Sequence, residues 1–133
     1  MDIMDELAAL NVYKKNKFIQ IENSFVNNRQ YSIYEKMVYI SLCTYAMDKN
    51  NCYPSQTTIA KNLSISRTMV IKAMQGLEEK NGLLIINRKA ESNRKVSNLY
   101  ILADIDNNTG EFIKDSIKEF EQYKGKEVVI KGK

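Results

Sequence analysis

The chain contains no histidine among its 133 residues. That removes the side chain most often used as a general base or metal ligand near neutral pH. Its two cysteines, Cys43 and Cys52, match neither a zinc spacing nor a CxxC redox pair. No Gly-rich loop is placed to cradle phosphates, and no pair of acids stands out as general acid and base. An enzyme is therefore the least expected class, and no cofactor, metal or small-molecule ligand is implied. No apolar run approaches the ~18–20 residues needed to span a bilayer, so no membrane partner is expected. The chain opens Met1-Asp2 with further acids at Asp5 and Glu6, the wrong sign for a secretory leader. Cys43 falls in an apolar helical pattern and reads as a buried thiol. Together these features predict a reducing, cytoplasmic setting.

What is present is one ordinary core's worth of apolar residues, 44% of the chain, and a net charge of +4. The positive charge is unevenly spread. Between Lys49 and Asn98 lie Lys49, Lys61, Arg67, Lys72, Lys80, Arg88, Lys89, Arg94 and Lys95, against only Glu78, Glu79 and Glu91. The segment's excess exceeds that of the whole chain, so its field is concentrated there and the flanks oppose it.

That cationic stretch contains two short helical patterns. Pro54-Ser55 is a helix-start signal, with Ser55 as N-cap, and Ile59, Ala60 and Leu63 share a face. Ser64-Ile65-Ser66 interrupts the pattern, with Ile65 as an apolar plug. Ser66 caps a second helix whose inward stripe is Val70, Ala73, Met74 and Leu77, and Asn81-Gly82 ends it, Gly82 being suited to a left-handed terminal turn. Two helices joined by a tight turn, with apolar positions where they must clasp, form a helix-turn-helix. Ser64 stands where such turns usually place glycine.

Upstream, residues 2–10 predict a short amphipathic helix carrying Ile3, Leu7 and Leu10, followed by a basic link over 13–17. Alternation from Lys17 to Glu22 predicts a strand, and Asn23 to Arg29 a turn around Phe25-Val26. Ser32 to Met47 predicts the strongest helix, opened by a capping box of Ser32 and Glu35. It is apolar almost all round, as expected of a scaffold helix buried on several sides. Downstream, strands are predicted from Leu84 to Lys89 and from Asn98 to Leu102, joined by a polar loop carrying Arg94 and Lys95, a basic wing. The strand at 18–22 is available as its third member. Residues 103–108 read as a polar link. Thr109 to Tyr123 predicts a longer amphipathic helix whose stripe Phe112, Ile113, Ile117 and Phe120 suits either dimerisation or docking on its own domain, with dimerisation favoured. The tail reads as basic and mobile, though Glu127 to Ile130 could add a strand to an offered edge.

The order strand, three helices, two strands predicts an α+β winged helix-turn-helix: a three-helix core with a small antiparallel sheet over 17–102, flanked by terminal segments 1–16 and 103–133. Within it, FIQIENSFVNN (18–28), YSIYEKMVYISLCTYA (31–46), YPSQTTIAKNLSISRTMVIKAMQGLEEKNGLL (53–84) and SNLYIL (97–102) resemble the winged-helix domains of plasmid and phage replication proteins of low-GC Gram-positive bacteria, including DnaD-like and replisome-organiser proteins. The resemblance covers about two thirds of the chain. It implies a role in replication, transfer or partition of a mobile element.

Double-stranded DNA is the expected partner, bound by two copies as a homodimer, with other replication or transfer proteins as further candidates. The polar side of the second helix carries Arg67, Thr68, Ile71, Lys72 and Gln75, with Met69 at its border and Ser66 at its start. Arg can grip guanine through two hydrogen bonds, Gln can do the same with adenine, and apolar groups can meet thymine methyls. Ser55, Gln56 and Thr57 are expected on the phosphate backbone, where the free N–H groups of a helix start favour an anion. Arg88, Arg94 and Lys95 are expected on phosphate or minor groove beside the wing. A transcriptional repressor and a protein-interaction module are the alternatives for the same fold.

Overall fold

The computed structural model describes residues 19–92, 94 and 96–130. The helix expected at 2–10, the link at 13–17, Phe18 and Lys95 lie outside the described residues. A single turn, α1 (Asn23–Val26), leads into α2 (Ile33–Ala46), then β1 (Asn51–Cys52), α3 (Gln56–Leu63), α4 (Arg67–Glu79), β2 (Leu83–Ala90) and β3 (Leu99–Leu102). Beyond these come β4 (Asp104–Ile105), β5 (Phe112–Ile113), a 3₁₀ helix (Lys114–Tyr123) and β6 (Glu127–Ile130). The result is an α+β winged helix with α2, α3 and α4 as its three-helix core.

The helix starts follow from their caps. Ser32 Oγ accepts from Glu35 N at 3.1 Å while Glu35 Oε1 accepts from Ser32 N at 2.9 Å, completing the capping box. Ser55 and Ser66 each accept from the backbone N–H three residues on, at 3.0 and 3.1 Å. Both helices of the helix-turn-helix end in the same double closure. After α3, Ser64 N donates to Lys61 O and Ile65 N to Ala60 O, with Ser64 left-handed at φ 58°. After α4, Asn81 N donates to Glu78 O and Gly82 N to Leu77 O, with Asn81 left-handed at φ 65°. The left-handed residue is therefore Asn81, not Gly82. Gly82 is needed for a different reason: the Phe112 ring lies against its Cα, and a Cβ there would strike it.

Four strands form one sheet in the order β1-β3-β2-β6. β3 pairs antiparallel with β1 (Cys52 opposite Tyr100) and with β2 (Ile85 opposite Tyr100). Directly opposed residues share a face, so Cys52, Tyr100 and Ile85 point together at the helices. They meet Phe25, Val38, Leu42, Ile59, Val70, Ala73, Met74 and Leu77 in the main core. The other face carries Leu84, Ile86 and Ile101, covered by Ile117 and Phe120 of the 3₁₀ helix and by Val128.

Several expectations are corrected here. Residues 19–22 are not a strand; Glu22 instead caps α1, Ile21 packs on the core, and the third strand beside the wing is β1. Phe25 belongs to that helical turn and is wholly buried, with rings of Tyr31, Tyr39 and Phe112 centred 5.2–5.4 Å away. α2 is not buried all round: Ile33 is 65% exposed, and Tyr34, Met37 and Tyr45 are also exposed, as is Met47 just past its end. The link at 103–108 contains β4, with Ala103 and Ile105 buried. No α-helix begins at Thr109, because Asp106 Oδ1 captures the N–H groups of Asn108 and Thr109 and Gly110 turns left-handed at φ 73°. The tail's Glu127–Ile130 finds its edge within the chain, pairing in parallel with Asn87–Ala90, so the sheet is mixed and not purely antiparallel.

The stripe expected to favour a second subunit is largely used at home. Ile117 is buried, Phe120 packs beside it, and Phe112 sits among Phe25, Tyr31 and Tyr39. Three residues per turn brings Ile117 and Phe120 onto one ridge of the 3₁₀ helix, facing the sheet. Only Ile113 of the four is exposed.

Candidate nucleic-acid interface

α4 is held from behind. Val70, Ala73, Met74 and Leu77 are buried, Glu78 Oε2 accepts from Ile85 N at 3.2 Å, and Lys80 bonds Glu35 Oε1 at 2.7 Å. Gly76 lets α2 approach, since a Cβ there would strike the Glu35 carboxylate. These contacts lock the helix's rotation and so decide which side faces water.

That side is the expected one. Arg67, Thr68, Lys72 and Gln75 are exposed, as is the cap Ser66. At about 100° per residue, Thr68, Lys72 and Gln75 fall within one arc of about 60°, a straight polar ridge. To the described residues their side chains make no hydrogen bond or ion pair. Met69 and Ile71 are half-buried along the borders, which removes the oddity of two apolar residues on a wet face. Arg67 stands about 100° round from Thr68, toward α3. Its Nη2 donates to Gln56 Oε1 at 3.1 Å.

Ser55, Gln56 and Thr57 lie at the start of α3 beside Arg67, as expected. With Ser97, Asn98 and Tyr100 they line an open, mainly polar groove of about 460 Å³. The groove therefore joins the helix-turn-helix to the base of the wing. Tyr100 forms its floor, and burial raises its pKa, partly offset by hydrogen bonding from Gln56 and Asn98.

The wing is less uniformly available than its sequence suggests. Pairing between β2 and β3 stops at Ile86 and Leu99. Beyond it, Arg88 Nε donates to Ser97 O at 2.8 Å and the guanidinium lies 5.1 Å from the centre of the Tyr53 ring. Arg88 is thus half-buried and staples the two strands where the ladder has ended. Tyr53 follows β1 and Arg88 lies on β2, so no spacing in the sequence signals the pair. Lys80, counted among the cations of the segment, is likewise a scaffold residue tied to Glu35 and Gln30 O. Lys89 and Arg94 are exposed; Lys95 lies outside the described residues.

Residues 32–83 match a family model described as a helix-turn-helix domain. No curated protein matches the chain. Among solved structures, one described as "Structure of Rep-DNA complex" is 17% identical, covering 85% of this chain and 90% of that one at a TM-score of 0.50. Another, a zinc-responsive MarR family member, Lactococcus lactis ZitR, is 21% identical, covering 91% of this chain and 72% of that one at a TM-score of 0.40. At these identities the likeness is one of fold.

Proposed function

We propose that this helix-turn-helix chain is a sequence-specific double-stranded DNA-binding protein of a plasmid, phage or other mobile element, acting in replication, conjugative transfer or partition. It works by binding and not by catalysis. The observation that carries the reading is the bare polar ridge of Thr68, Lys72 and Gln75 on a helix whose opposite side is locked into the core. A helix with its base-reading side chains uncovered fits the major groove. The α3 start and the wing, on either side of it, supply contacts to the backbone, which position the protein but carry no sequence information. The Rep protein of similar fold was solved with DNA, which supports the same class of partner here.

The reading includes two copies per site, because small helix-turn-helix proteins commonly read paired half-sites. The mass of the protein–DNA complex tests this. The decisive experiment is selection of bound sequences from a random duplex pool, followed by a search of the host element for the preferred sequence. A site in an origin supports replication or transfer; a site over a promoter supports a repressor instead. Failure to enrich any duplex would refute DNA reading and leave a protein partner as the target. Replacing Lys72 or Gln75 with Ala should cost about 1–3 kcal/mol on the selected site if that side chain reads a base.

A further inference from the structure

The sequence assigns Gln56 to the phosphate backbone. Gln56 Oε1 already accepts from Arg67 Nη2 at 3.1 Å. With its oxygen so engaged, the amide turns its nitrogen the other way. The same groove is lined by Asn98 and by Tyr100, whose side chain is 1% exposed. The amide thus ties the first turn of α3 to the first residue of α4, beside a core tyrosine. Its backbone is fixed as well, by the Ser55 cap on Thr58 N at 3.0 Å.

We propose that Gln56 is a positioning residue: it holds the Arg67 guanidinium in place at the start of the recognition helix before DNA arrives. This rests on the reading of α4 as that helix. The first turn of a recognition helix is where base edges are met. An Arg carries five N–H donors, and the bond to Gln56 uses one, leaving enough for a two-bond grip on guanine. A long, freely rotating side chain loses more conformational freedom on binding than one already held. The bond from α3 therefore sharpens base choice by Arg67 and adds little to general affinity.

The test compares the wild-type chain with Gln56→Ala, Gln56→Glu and Arg67→Ala. The probes are the best duplex that wild type recovers from a random pool, its single-base variants, and a scrambled duplex. Gln56→Ala is expected to lower discrimination by about tenfold at the one base pair that Arg67→Ala also relaxes, with affinity for the scrambled duplex changed by less than about twofold. Gln56→Glu keeps the acceptor, so it should keep the discrimination while weakening all duplexes alike through its added negative charge. Thermal unfolding confirms that each variant folds, and Gln56→Leu, which keeps the stem and removes both amide atoms, carries the same comparison should the Ala variant not fold. Equal loss on selected and scrambled duplexes would make Gln56 a phosphate contact and overturn the proposal. So would unaltered discrimination by Gln56→Ala where Arg67→Ala relaxes it, a result that leaves the DNA-reading role of α4 standing. Unaltered discrimination by Arg67→Ala itself would overturn the proposal at its premise.

Discussion

Replacing Phe112 with Ala should destabilise the protein without changing its state of association. The ring sits 5.4, 4.8 and 5.0 Å from the centres of Phe25, Tyr31 and Tyr39, and covers Gly82 at the end of α4. Truncating a buried Phe to Ala costs about 3–5 kcal/mol. Phe112 is only partly buried, which lowers the figure, but three tilted aromatic contacts are lost, which raises it. The expected loss is about 2–3 kcal/mol, or roughly 10 °C in melting temperature for a domain of this size. The backbone bond from Phe112 N to Tyr31 Oη, at 3.1 Å, does not depend on the side chain and should persist. Urea unfolding, followed at two protein concentrations ten- to a hundredfold apart, measures the effect. The midpoint should fall equally at both. An unchanged midpoint, or a loss that appears only at low concentration, would contradict packing of the ring within its own chain.

Ser64→Gly should stabilise the fold by about 0.5–1 kcal/mol, since Ser64 is left-handed at φ 58° and glycine adopts that conformation without steric cost; chemical denaturation reads it, and DNA binding should be unaltered. Burial pushes Cys43 up to about 11 and Cys52 up to about 12, from an ordinary 9. Both are neutral thiols at pH 7–8 in the folded protein, whereas unfolded thiols ionise from about pH 9. Stability from this source is thus fully present below pH 9 and falls as pH rises toward 11–12, by at least about 1 kcal/mol on denaturation curves taken at pH 8 and pH 11. Deleting residues 126–133 should strip β6 from the wing. The Glu91 N–H, which donates to Ile130 O at 3.1 Å, should then lose its protection from hydrogen exchange, and binding should weaken for all duplexes alike.

The parts of the fold that were legible in the sequence are those set by neighbours in the chain. The caps Ser32, Ser55 and Ser66 act within three residues, and the stripe Val70, Ala73, Met74 and Leu77 repeats within one helix. The exposed ridge follows from that stripe by subtraction. What was not legible depends on distant pairing. β1 is two residues in a polar loop and exists because Cys52 lies opposite Tyr100. β6 depends on the edge of β2 opposite β3, where it pairs with Asn87–Ala90. The alternation at 18–22 mimicked a strand, but Ile19–Glu22 has no strand partner and ends as the lead-in to α1. Nor were the partners legible that some of these polar side chains find in the fold, Arg88 on Ser97 and Tyr53, Lys80 on Glu35, and Gln56 on Arg67. Charge counting cannot separate a cation that faces DNA from one that closes a sheet.

The most direct test of the account is a titration of wild type and the Lys72→Ala/Gln75→Ala double variant against the selected duplex and a scrambled one, each at several salt concentrations. The ridge on α4 predicts that the variant loses at least about tenfold on the selected duplex and far less on the scrambled one, with its melting temperature unchanged. Equal affinity of the two proteins for the selected duplex would contradict it and move the reading surface elsewhere on the molecule.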